Sequence, residues 1–167
     1  MKDLPALLTE FGAGRVALVE RHEASARIVS HYDFNNTYQY VINREETHLS
    51  WLQNALAEYS LVLPPAGAAA LPAPTAPKVG RDVEASAFRG VLEDDASYLG
   101  VFVEAWRPRV DTVKHARHRN MLHVILGESM EHKRLFEQAA AGLEDLLGRR
   151  TGGVERVGGV LPTRWME

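Results

Sequence analysis

The chain of 167 residues contains no cysteine. That excludes disulfides, thiolate zinc sites, iron–sulfur clusters and a rubredoxin-type iron centre, and it fits a reducing compartment. There is no marked excess of either charge: 19 Lys and Arg stand against 22 Asp and Glu. Apart from a modest run from Arg107 to Arg119, the basic residues are scattered, so the sequence carries no electrostatic footprint for nucleic acid. No apolar run approaches the roughly 20 residues that span a bilayer. The first residues, "MKDLPALLTEF", lack an apolar signal core and a cleavage site, so a cytoplasmic location with no membrane partner is expected. Strand alternation is absent throughout. Proline is scarce except in one place, where five of the eight fall between Leu61 and Gly80.

What is present is helical periodicity and enough apolar content, 46%, for one sizeable core. Four segments carry it, at about Leu4–Tyr32, Thr37–Ser60, Asp82–Trp106 and from between Val110 and Arg119 to Gly148. The turn "YDFNNTY" separates the first two, with Asn35 or Asn36 as a cap for the second. Pro108 should stop the third. The proline-rich stretch 61–80 cannot be helical. At about 3.1 Å per residue it reaches roughly 60 Å, further than the preceding helix is long, about 36 Å. It can therefore return along a whole bundle. The expected fold is all-α, an antiparallel four-helix bundle over residues 1–149 with one long crossover at 61–80, followed by an extended tail over 150–167. One long connection between the second and third helices is the connectivity of ferritin-like bundles.

Placing residues at 100° per step around each helix shows which polar side chains turn inward. The stripe of the second helix is Val41, Leu49, Leu52, Ala55, Leu56 and Tyr59, and Glu45 and His48 lie within roughly 30° of its centre while Glu46 falls off it. On the third helix Asp95 lies among Val91, Leu92, Leu99 and Phe102, and Glu93 and Asp94 point away. On the fourth, His132 sits at the centre of the stripe and Glu128 at its edge, one turn apart. Helix one, with a stripe of Leu8, Phe11, Leu18, Val19, Ala26 and Val29, is less clear: Glu23 is nearer the border, and His22 reads as a core or border histidine. His115, His118 and His123 read as a solvated, positive helix end. Counting residues from the turns brings Glu23, Glu45, Asp95 and Glu128 to within about a turn of one level. Buried carboxylates in one layer repel one another unless cations or protons offset them, and a metal pair is the solution this spacing suggests.

These residues resemble the ferritin-like, rubrerythrin-type carboxylate-bridged di-metal superfamily, whose site takes a Glu from each of two helices and a Glu-x-x-His from each of the other two. "EETH" supplies Glu45 and His48, "HEASAR" looks like the first-helix context and nominates Glu23, "LEDDASYLGVF" offers Asp95 in place of Glu, and "LGESMEHKRLFE" offers Glu128 and His132. The resemblance spans roughly residues 10–145. It departs from the pattern at Ser129, where a second Glu-x-x-His would need Glu. By resemblance, Glu45 bridges, His48 and His132 are terminal ligands, and Asp95, Glu128 and Glu23 complete a di-iron or di-manganese centre, with zinc as a further choice. The implied activity is oxygen- or peroxide-linked oxidoreduction with an external electron donor. Helices two and four also look like DinB-like bundles, in which His48, Glu128 and His132 would hold a single metal for a hydrolase or transferase. A third reading is a non-enzymatic bundle with a degenerate, hydrogen-bonded centre that serves in binding or scaffolding. The apolar part of 61–74 would be a surface for a homodimer.

Overall fold

The computed structural model describes residues 3–78, 84–143 and 147. Among them are four α-helices and no strand: α1 (Leu4–Ile28), α2 (Tyr32–Ala57), α3 (Arg89–Asp111) and α4 (Ala116–Ala140), with a short 3-10 turn at Ala85–Phe88 leading into α3. None is long and apolar enough to cross a membrane. The expected tail, 150–167, lies outside the described residues. α1 packs along α2 and α3 along α4, and the two pairs meet through α1 against α3 and α2 against α4. The four helices thus enclose one core, built on Leu8, Phe11, Leu18, Tyr38, Leu52, Leu56, Leu92, Leu99, Ile125 and Phe136.

The helix boundaries follow from their caps. Asp3 accepts from the Ala6 amide at the start of α1, and Pro5 sits in its first turn, where a missing N–H costs nothing. α1 stops at Ile28, four residues before the expected Tyr32, and Asn35 accounts for the difference. Its amide donates to the carbonyls of Ala26 and Val29 at 2.8 and 3.1 Å, so it closes the end of α1 where a cap for α2 was expected. α2 and α4 both end in Schellman motifs. After α2, the amides of Leu61 and Ser60 return to the carbonyls of Leu56 and Ala57, which places Ser60 in the left-handed region at φ 57°. After α4, Leu143 and Gly142 return to Gln138 and Ala139, with Gly142 at φ 88°. This cap ends α4 at Ala140, eight residues before the expected Gly148.

α3 runs past the expected stop and carries Pro108 inside its last turn. The carbonyl that proline leaves without a donor belongs to Glu104, on the exposed side where water can serve it. The buried Trp106, Val110 and Val113 favour continuing the helix, and Arg109 stacks on Trp106 at 3.8 Å. Beyond α2, residues 63–72 touch α1 repeatedly. Leu63 lies over Gly12, where a Cβ would come within 2.8 Å of it. The Gly67 amide donates to Glu20, and Arg21 donates to the Pro72 carbonyl.

Candidate functional site

The interior of the bundle holds a polar layer tied together by arginine. Arg15 on α1 is wholly buried, its side chain 0% exposed. Its NH1 donates to Ser129 Oγ on α4 at 2.8 Å, and its NH2 lies 3.3 Å from both Glu45 Oε1 and His48 Nδ1 on α2. One guanidinium therefore joins three helices. Because an arginine N–H can only donate, the His48 nitrogen that faces it is the acceptor, and the proton sits on Nε2. That Nε2–H donates to Glu128 Oε2 at 2.8 Å. Glu128, on α4, is 30% exposed and is gripped from outside by Arg44, whose Nε and NH2 donate to its two oxygens at 3.1 and 2.8 Å. On the inner side, His22 Nδ1 lies 2.8 Å from Glu45 Oε2 and, facing a carboxylate, carries the proton there.

Asp95 belongs to a second cluster. Arg21 Nε donates to its Oδ1 at 2.7 Å, and the Tyr38 hydroxyl donates to its Oδ2 at 2.5 Å. Arg21 lies six residues from Arg15 on α1, about 9 Å along the axis, so Asp95 and Glu45 are held by different arginines. Arg21 also stacks on Tyr98 at 4.4 Å. Both clusters cross the bundle by its diagonals: Arg15 reaches from α1 to Ser129 on α4, and Tyr38 reaches from α2 to Asp95 on α3.

Burial and partners set the charges. Burial pushes the Glu45 carboxyl up, but His22, Arg15 and His132 together outweigh it and hold the group below its ordinary value. Glu128 behaves alike: burial raises it, and the hydrogen bonds from Arg44 and His48 bring it below. Burial and the Arg15 cation lower His48 despite its bond to Glu128. Burial also lowers His132, to about 4, so both imidazoles are neutral at pH 7. Burial also lowers Arg15, against the pull of Glu45 and Glu128. Burial, reinforced by Asp95, raises the Tyr38 phenol well above 10.

Of the six residues read from the sequence as metal ligands, Glu45, His48, Glu128 and His132 stand together on α2 and α4. His48 and His132 stack at 6.2 Å between ring centroids. Asp95 is buried but separate. Glu23 is 40% exposed, with Arg27 at 4.0 Å as its ion partner, and it does not reach the layer. Among the described residues no group of three or more His, Asp or Glu side chains is disposed to hold a metal ion. Within this layer two buried imidazole nitrogens, His22 Nε2 and His132 Nδ1, have no hydrogen-bond partner. His118, read as solvated, is buried and 3.3 Å from Glu58.

Sequence reading passed over Arg15, Arg21, Tyr38 and Arg44, and it met Ser129 only as a missing Glu. A signal for Arg15 was there: Leu8, Arg15, His22 and Val29 follow one another at intervals of seven, the spacing of residues that share a helix face. Arg44 likewise lies four residues before His48. Comparison with known protein families, characterised proteins and solved structures finds no match to this chain.

Proposed function

We propose that this protein is a ferritin-like bundle, two antiparallel helical hairpins joined by the proline-rich crossover at 61–80, whose centre is neutralised by arginine in place of metal. In this reading it is a non-enzymatic module that serves in binding or scaffolding. One observation carries it: the buried Arg15 guanidinium supplies a cation in the middle of the layer. Each inward carboxylate has its own arginine, Glu45 with Arg15, Asp95 with Arg21 and Glu128 with Arg44. The repulsion that would call for metal ions is thereby offset.

The donor set does not fit a di-metal centre as it stands. Both Glu45 oxygens are engaged, by Arg15 and His22, and both His48 nitrogens are engaged, by Arg15 and Glu128. A guanidinium against the bridging carboxylate would also repel an incoming divalent ion. The single-metal triad of His48, Glu128 and His132 meets the same obstacle, since the His48 Nε2–H already points at Glu128.

A second reading, a di-iron or di-manganese oxidoreductase served by an external donor, draws on the bare His22 Nε2 and His132 Nδ1. It requires Arg15 to leave the layer. Metal content after expression in medium supplemented with iron, manganese or zinc separates the two. Traces well below one ion per chain at every supply are expected. One or two tightly held ions per chain would overturn the proposal, and their number would distinguish the triad from the di-metal centre.

A further inference from the structure

The two helix pairs meet along two seams, α1 against α3 and α2 against α4. Along α1, residues 63–72 of the chain itself make contact. The α2–α4 seam holds a cleft of about 730 Å³, lined by Tyr40 and Arg44 from α2, by Glu128, Glu131, His132 and Leu135 from α4, and by Leu147 beyond α4. That volume suits a small molecule. At neutral pH the lining carries one cation, Arg44, and two anions, Glu128 and Glu131, with Arg134 pairing Glu131 at 3.4 Å. His132 is only 2% exposed, and its Nδ1 lacks a partner.

Glu128 is held differently on its two sides. From within, the His48 Nε2–H fixes one oxygen, and His48 is itself anchored on Arg15. From without, the partner is Arg44, whose side chain is 35% exposed. The carboxylate therefore keeps its place if the outer partner is exchanged. Arg44 already marks out the geometry that a replacement would use, with two nitrogens on two oxygens.

We infer that the α2–α4 cleft binds a small organic cation of the guanidinium class, which takes the place of Arg44 on Glu128 and lays a short apolar tail against Tyr40 and Leu135. Arg44 is then an internal competitor, and its removal should strengthen binding. This site rests on the metal-free reading of the centre.

The test is calorimetric titration of the full chain, after its metal content has been measured, with butylguanidinium and with butyrate, which shares the tail and inverts the charge. Arg44→Ala should bind butylguanidinium at least about tenfold more tightly than the unaltered protein, with Kd at or below about 1 mM. Butyrate should not bind. Glu128→Gln should lose butylguanidinium at least about tenfold, the scale of one charge-assisted hydrogen bond. If Glu128→Gln fails to fold, the surface variant Arg44→Ala still decides. No gain in Arg44→Ala, or equal binding of butyrate, overturns the inference even when the protein is free of metal. Stoichiometric metal would instead overturn the reading on which it rests.

Discussion

Replacing Arg15 by Met keeps an unbranched apolar stem and removes the charge. Three contacts disappear: Ser129 at 2.8 Å, Glu45 at 3.3 Å and His48 at 3.3 Å. Phe102 also loses the guanidinium 5.4 Å from its ring. Glu45, with no exposure to solvent, is left with His22 as its remaining hydrogen-bond partner. Removing one member of a buried ion pair costs about 3–5 kcal/mol, because the charge left behind is uncompensated. With a urea slope of about 2 kcal/mol per M, the unfolding midpoint should fall by roughly 2 M. The assay is urea denaturation followed by far-ultraviolet circular dichroism at pH 7, with chelator present. Glu45→Leu should be similarly damaging, since it strands Arg15. The double variant removes both charges and should be more stable than either single variant by at least about 1 kcal/mol. An unchanged or raised midpoint in Arg15→Met would refute the reasoning, as would strict additivity of the two changes. Were the layer a metal centre, Arg15 would oppose the ions, and Arg15→Met would unfold later in iron-loaded medium.

Acid should destabilise the protein in two steps. His48 and His132 have folded pKa values below 6.5, that of His132 being about 4. The folded chain therefore binds fewer protons than the unfolded chain as pH drops from about 6.5 to 4, and stability that is complete above this window declines through it, by up to about 3 kcal/mol for His132. Glu45 and Glu128 are depressed below 4.5, so a second loss follows beneath that pH. Urea midpoints at successive pH values check this, and a flat profile from pH 7 to 4.5 would contradict it. The backbone offers an independent comparison. Ser60→Gly should raise stability by about 0.5–1 kcal/mol by relieving a left-handed position at φ 57°. Gly14→Ala should lower it by about 1 kcal/mol or more, because the new Cβ would lie 2.8 Å from a Phe102 ring wedged against Phe11 and Trp106. Thermal melting that ranks the two variants the other way would count against the packing described.

The number of helices and their inward faces were legible in the sequence, because both are local consequences of a period of 3.6 residues. Glu45, His48, Asp95 and His132 are buried, and Glu46, Glu93, Asp94, Glu104 and Glu131 are exposed, as the helical phase of each requires. Helix ends were less legible. Asn35 closes the helix before it, and Pro108 is carried inside α3 by apolar residues beyond it, and both outcomes depend on neighbours more than on the residue itself. Composition misled at His118, where basic neighbours near a helix start suggested solvent and Glu58 and Tyr59, just past α2, cover it instead.

What a helix period cannot convey is which side chains meet across the core. Counting from the turns put Asp95 within a turn of Glu45, but level alone does not say which partners a side chain meets: Asp95 is held by Arg21 and Tyr38, and Glu45 by Arg15 and His22. It also left Arg15 out of account, though Arg15 shares a face with His22. Sequence alone thus determined that acidic and imidazole groups would be buried. Only the tertiary structure shows which arginines pair with them. Long arginine side chains bridge helices whose residues lie far apart in the chain, and the identity of a cation in a low-dielectric core depends on those meetings and not on the pattern of any one helix.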